Sequence, residues 1–242
     1  MSKPIVIAVT GNPPDKTLET LGNFGEWIIA SHDDGGFLIV DCTHCVDASE
    51  LPIADDIGGV IITGSPSMVT DREPWSLLLE QWVVDLSMTD TPVLGICYGH
   101  QLIAQALGGS VGLHPKGREI GSVPIELSND CKKDPLFSAS PSFYYANVTH
   151  AQSVLTLPPG ATLLASNDYE PHQAFSIGNN MWGVQYHPEF SANIMRFYLF
   201  ERYDSLQEQG LNIQTLFEEV QETPYSRGLL DNFISLCQKV TE

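Results

Sequence analysis

Two kinds of segment alternate along this chain. Residues 5–9, 37–40, 60–62 and 93–96 are short uninterrupted apolar runs rich in Val, Ile and Leu. Such runs are the pattern of parallel strands covered on both faces. Between them, residues 18–30 predict a helix carrying Trp27, Ile28 and Ile29, stopped by Asp33-Asp34-Gly35-Gly36. After Pro74, the positions Trp75, Leu78, Leu79, Trp82, Val83 and Leu86 follow i, i+3, i+4, i+7 spacing and predict a second, very regular helix. Strand and helix thus alternate as in a doubly wound α/β sheet. From 111 to 166 the pattern changes to short alternating runs broken by Pro, Gly, Asn and Asp, which predict antiparallel strands beside the main sheet. Residues 173–177 and 181–186 predict a hairpin across Gly178-Asn179-Asn180. Beyond Phe190 the period is helical: Ile213, Leu216, Phe217 and Val220 form one stripe, and Leu230, Phe233, Ile234 and Cys237 another.

The fourth apolar run ends abruptly in Gly95-Ile96-Cys97-Tyr98-Gly99, followed by a helix with Leu102, Ile103, Ala106 and Leu107 apolar and Gly108-Gly109 at its end. This is the spacing of a nucleophile elbow with cysteine at the reacting position, the glycines relieving crowding at a sharp strand-to-helix turn. A thiol placed there sits at the positive end of the helix dipole, which favours the reactive thiolate.

Composition narrows the chemistry further. The chain has 242 residues and a net charge of −19, so its surface repels phosphate backbones and anionic membranes, and neither nucleic acid nor a membrane is expected as partner. The N-terminal apolar run is too short for a signal peptide or membrane span, so a cytoplasmic location is expected. Five cysteines argue for reduced thiols rather than a disulfide framework. Cys42-Thr43-His44-Cys45 is the one close pair, and with no second ligand pair it reads as a loop after a strand, so neither metal nor cofactor is expected.

A cysteine nucleophile needs a base, and the base needs a group that orients it. Gln185-Tyr186-His187-Pro188-Glu189-Phe190 supplies both: in an extended stretch His187 and Glu189 share one face. His187 follows a strand, as Cys97 does, so the two can meet at one edge of the sheet. His100, three residues past Cys97, points away from where substrate approaches, and His32, His44, His114 and His172 lie in loop-like contexts, the last three without a carboxylate two residues on. For the oxyanion, the backbone N–H of Tyr98 and that of Ser65, in the Gly64-Ser65-Pro66-Ser67 turn after the third strand, are the candidate donors.

The two motifs together, residues 92–101 and 183–190, resemble the class I glutamine amidotransferase family, in particular a free-standing branch similar to the glutaminase domain of GMP synthase. The resemblance implies a flavodoxin-like, mostly parallel sheet with a small antiparallel addition. Residues 1–200 would form the amidotransferase domain and 201–242 a helical extension packed on it. It further implies hydrolysis of the glutamine side-chain amide through a γ-glutamyl thioester, with Cys97 attacking, His187 shuttling the proton and Glu189 orienting it. Gln101 matches a residue that helps hold substrate, Gly64 belongs to the oxyanion turn, and Thr149-His150-Ala151-Gln152 sits where the family binds the substrate's α-amino and α-carboxylate groups.

Three departures qualify this picture. Ala151 and Gln152 replace the more usual Gly-Asp, and Ser65 stands where the synthases have glycine, which makes an amide flip there harder. These 242 residues also carry no ATP-binding or synthetase module, so any ammonia is expected to pass to an acceptor enzyme in trans or to be released. The leading expectation is a glutaminase. The alternative is a γ-glutamyl peptidase, favoured by the altered loop, and behind it stands a non-catalytic protein of the same fold.

Overall fold

The computed structural model describes residues 3–30 and 36–240, and for Lys239 and Val240 the backbone alone. Five strands, β1 (Ile5–Val9), β2 (Phe37–Asp41), β3 (Gly59–Ile62), β4 (Val93–Ile96) and β11 (Met181–Val184), run parallel in the order 2-1-3-4-11. This is the flavodoxin-like doubly wound order, in which ligands bind beyond the carboxyl ends of the strands. The period-2 pleat sorts each strand between two cores. Ile5, Ile7, Ile61, Leu94, Ile96 and Val184 face one side, where they meet the C-terminal helix; Val6, Ala8, Val60, Ile62 and Val93 face the other. That division is why these strands read as unbroken apolar runs.

The second face is covered by α3 (Pro74–Ser87) and α4 (Tyr98–Ala106). The segment expected as one helix over 18–30 forms two, α1 (Asp15–Leu21) and α2 (Phe24–Ile29). The break is local: Gly22 takes φ +84, and Asn23 and Glu26 form a reciprocal capping box that starts a new helix. Asp33, Asp34 and Gly35, expected as its stop, and His32 lie outside the described residues.

The antiparallel strands are β5 (Ser110–Leu113), β6 (Glu119–Leu127), β7 (Phe143–His150), β8 (Gln152–Thr156), β9 (Thr162–Ser166) and β10 (Ala174–Ile177). β5 and β8 form a small separate sheet, whereas β10, β9, β6 and β7 continue the main sheet to nine strands instead of lying beside it. The expected hairpin is present as β10–β11, with Gly178 at φ +60 in its turn.

The remaining helices are α5 (Ala192–Glu201), α6 (Tyr203–Glu208), α7 (Ile213–Glu219) and α8 (Pro224–Val240). Leu229, Leu230, Phe233, Ile234 and Cys237 of α8 share a core with the strands, while Ile213 and Val220 pack with Ile120, Phe190 and Met195. Phe217, assigned to the same stripe by its spacing, is exposed.

Candidate functional site

The site lies at the carboxyl edge of β3, β4 and β11. The Cys97 N–H donates to the Val184 carbonyl at 2.8 Å, extending the β4–β11 pairing to the reacting position, and the Gly99 N–H donates to the Thr63 carbonyl at 3.3 Å. Such close approach needs glycine. A Cβ on Gly95 would stand 2.4 Å from the Gly99 backbone, and one on Gly99 would stand 2.5 Å from the Ile62 carbonyl oxygen. Cys97 itself takes φ +50, ψ −95, a conformation rare for a residue with a side chain and typical of strain held at a functional turn. Ser65 does not share it: among the described residues other than glycine, only Cys97 and Arg72 have positive φ. The Ser65 hydroxyl donates to the Thr10 carbonyl at 2.6 Å and accepts from the Ser67 N–H at 3.1 Å, which pins the turn after β3.

His187 is buried, three residues past β11. Its Nδ1 meets Glu189 Oε1 at 2.8 Å, as their spacing suggests, but residues 187–190 form a turn closed by the Phe190 N–H on the His187 carbonyl, not an extended strand. Asn147 of β7 fixes that turn from both ends: its carbonyl accepts from the His187 N–H at 2.8 Å and its Nδ2 donates to the Phe190 carbonyl at 3.1 Å. Phe190 and Phe24 pack on the imidazole with ring centroids at 4.2 and 6.2 Å. Burial alone would push the imidazole's pKa down, but the carboxylate of Glu189 and the sulfur of Cys97 outweigh it and raise it to about 10. His187 Nε2 has no hydrogen-bond partner of ordinary geometry among the described residues.

The cleft beside Cys97 is lined by Ser65, Tyr98, Gln101, Thr149, His150, Ala151 and His187. Gly64 and Glu189 lie behind it, Gly64 against the imidazole and Glu189 under it. Residues 149–152 are not a free loop. They are the junction where β7 leaves the main sheet and β8 enters the small one. The Gln152 carbonyl accepts from Gln101 Nε2 at 2.9 Å and the Thr149 carbonyl faces the Cys97 sulfur at 4.0 Å.

The class I glutamine amidotransferase family model matches residues 36–205. The chain belongs to this family. Among its relatives, γ-glutamyl peptidase 3 of Arabidopsis thaliana is 31% identical over 210 residues, covering 85% of this chain and 78% of that one. The glutamine-hydrolysing GMP synthase of Thermomicrobium roseum is 34% identical over 148 residues, 59% of this chain but 26% of its own, so the match spans about a quarter of that relative. A glutamine amidotransferase structure from Thermotoga maritima superposes over 100% of both chains with a TM-score of 0.75 at 21% identity, a likeness of fold.

Within this amidotransferase, apart from His150, which lines the cleft with His187, the described histidines are held in other surroundings. His100 is buried in α4 against Phe175, and burial pushes its pKa down to about 3. His114 stacks on Tyr169, and His172 Nδ1 meets the Val154 carbonyl at 2.6 Å. Cys42 and Cys45 are buried in the turn after β2, their sulfurs against the Val40 and Asp41 carbonyls at 3.6 and 3.7 Å. No helix among the described residues is long and apolar enough to cross a membrane.

Sequence reading missed Phe24, Arg118, Tyr198 and Arg202, which also line the cleft, and Glu119 beneath it. None belongs to a motif. They reach the site because α2, β6 and α5 pack around its rim.

Proposed function

We propose that this protein hydrolyses the amide bond on the γ-carbonyl of a glutamyl compound through a thioester on Cys97. The observation that carries the reading is the Cys97–His187–Glu189 arrangement just beyond the carboxyl ends of the adjacent parallel strands β4 and β11, with the imidazole held protonated next to the sulfur. The Cys97 sulfur attacks the γ-carbon, and the developing oxyanion takes hydrogen bonds from the Tyr98 and Ser65 N–H groups, donors each worth about 3 kcal/mol in comparable sites. The C–N bond breaks as His187 Nε2 gives its proton to the departing amine. Water then adds to the thioester, His187 takes a proton from it, the C–S bond breaks, and glutamate leaves. Glu189 holds the imidazole's tautomer and orientation throughout.

Gln101 and residues 149–151 hold the α-amino and α-carboxylate groups, and Gly64 leaves room for the imidazole. Residues 1–200 make up the amidotransferase domain, and 201–242 are a helical extension packed on it. We place the enzyme in the cytoplasm, where five free thiols and a net charge of −19 are both at home.

Of the two leaving groups, ammonia and a larger amine, the match along most of the chain to a γ-glutamyl peptidase favours the larger amine. The glutaminase reading, with ammonia handed to an acceptor enzyme in trans, is supported by the GMP synthase relatives over a shorter stretch. Glutamate release is measured with glutamine and with γ-glutamyl dipeptides, using Cys97→Ala as control. Release that depends on Cys97 is expected, faster with the dipeptides. Turnover that survives the substitution overturns the nucleophile, and faster release from glutamine moves the assignment to a glutaminase.

A further inference from the structure

This chain carries 11 Lys and Arg against 30 Asp and Glu, yet two of its arginines, Arg118 and Arg202, line the same cleft as Cys97. Arg118 immediately precedes β6, and Arg202 stands at the junction of α5 and α6. Two guanidinium groups brought together repel each other, and a folded protein ordinarily pairs each with a carboxylate. Here neither forms a salt bridge to Asp or Glu among the described residues. Arg118 Nε donates only to the neutral Gln209 side chain, at 3.3 Å. Arg202 Nε is buried with no hydrogen-bond partner, its guanidinium lying over the Tyr198 ring at 5.7 Å. Burial and the like charge of Arg202 both push the Arg118 pKa below its usual range, and the one neighbour that opposes them is the sulfur of Cys97.

The cleft where substrate must lie is thus lined by two half-buried cations that no described carboxylate neutralises. An anion is the ligand that relieves both, and a carboxylate matches the planar fork of arginine best. Glutamine has a single carboxylate. A γ-glutamyl amino acid or short peptide has a second, on the amine that departs.

We propose that Arg118 and Arg202 form a subsite for a carboxylate on the departing amine, making the preferred substrates γ-glutamyl amino acids or short peptides with a free carboxylate beyond the scissile bond. This rests on the γ-glutamyl hydrolase reading above and adds to it the chemistry of the leaving group. Turning over glutamine does not require the subsite, since ammonia carries nothing for it to hold.

The test compares two substrates that differ only in that carboxylate: γ-glutamylglycine and γ-glutamyl methylamide. The ratio of their kcat/KM values is measured for the native protein, Arg118→Gln, Arg202→Gln and Arg202→Lys, with folding checked by thermal unfolding. The native protein is expected to favour γ-glutamylglycine by on the order of tenfold or more. That ratio should collapse toward one in both Gln variants and recover in part with lysine. Raising salt on the native protein should shrink it too, a measurement that needs no variant.

A native ratio near one overturns the subsite while leaving γ-glutamyl hydrolysis intact. A ratio that persists in both Gln variants, or an equal loss on both substrates, overturns the assignment to these arginines; the equal loss would place them on the glutamyl half. If the native protein cleaves neither compound, it is the hydrolase reading that fails.

Discussion

Gly64 lies directly against His187: a Cβ added to it would stand 2.8 Å from the imidazole Cε1 and 3.8 Å from the Cys97 Cβ. The ring has little room to yield, because Phe190 and Phe24 pack on it and Glu189 holds its Nδ1. Gly64→Ala should therefore shift the base by a few tenths of an ångström or more. A fall in kcat/KM of about tenfold or more is expected, approaching roughly 100-fold if the displacement reaches about 1 Å, with an overpacking cost of about 1–3 kcal/mol. Steady-state kinetics and urea unfolding of the variant check both. Near-native activity would mean that the imidazole is free to move.

The pKa of His187 is raised from 6.5 to about 10, so it stays protonated through neutral pH. The sign follows from linkage. The stability contributed by the charged ring is complete below 6.5 and is lost as pH rises through about 10. The activity of the native protein should fall on the same alkaline limb, because the leaving amine then has no proton donor. In Glu189→Gln the carboxylate no longer opposes burial, and the limb should move to lower pH. A pH–rate profile of kcat/KM for both proteins reads the shift; coincident alkaline limbs would show that Glu189 does not hold the proton on the ring.

Cys97 has φ +50 with a side chain attached. A glycine there escapes the steric cost, so Cys97→Gly should be more stable than Cys97→Ala by about 1 kcal/mol. Both variants should be inactive. The pair isolates backbone strain, since neither retains the thiol. Thermal or denaturant unfolding measures the difference, and an alanine variant as stable as the glycine one would mean the elbow is unstrained.

The parts of the site that are legible in the sequence are those confined to short contiguous motifs. Cys97 is announced by the glycines on either side of it, and His187 with Glu189 by their two-residue spacing after a strand. The parallel order is legible because strands buried on both faces become continuous apolar runs. What pattern conceals is geometry set by distant chain. His187 and Glu189 meet through a turn, not a strand face, since Asn147 fixes both ends of residues 187–190. The helix expected over 18–30 divides at a capping box whose signal, Asn23 with Glu26, is readable but is outvoted by the apolar positions on both sides. Arg118 and Arg202 have no local signature at all, and only the packing of β6 beside the α5–α6 corner brings them to one cleft.

Glu119 was hidden in the same way, and its role is open to a direct test. Its Oε2 accepts from His150 Nε2 and from Gln173 Nε2, each at 2.9 Å, and its Oε1 accepts from Asn167 Nδ2 at 2.8 Å. His150 Nδ1 in turn faces the Gln152 carbonyl at 2.9 Å, so the carboxylate anchors the β7–β8 junction that walls the cleft. Glu119→Ala orphans three donors, two of them buried, and should cost about 3 kcal/mol, with Glu119→Gln costing less because one oxygen remains to accept. Neither change touches Cys97 or His187. The kinetic damage should accordingly appear mainly as a raised KM, with kcat much less affected. Urea unfolding and Michaelis kinetics on the two variants separate the effects; a loss of kcat at unchanged KM and unchanged stability would mean that Glu119 acts on the chemistry and not on the wall that holds the substrate.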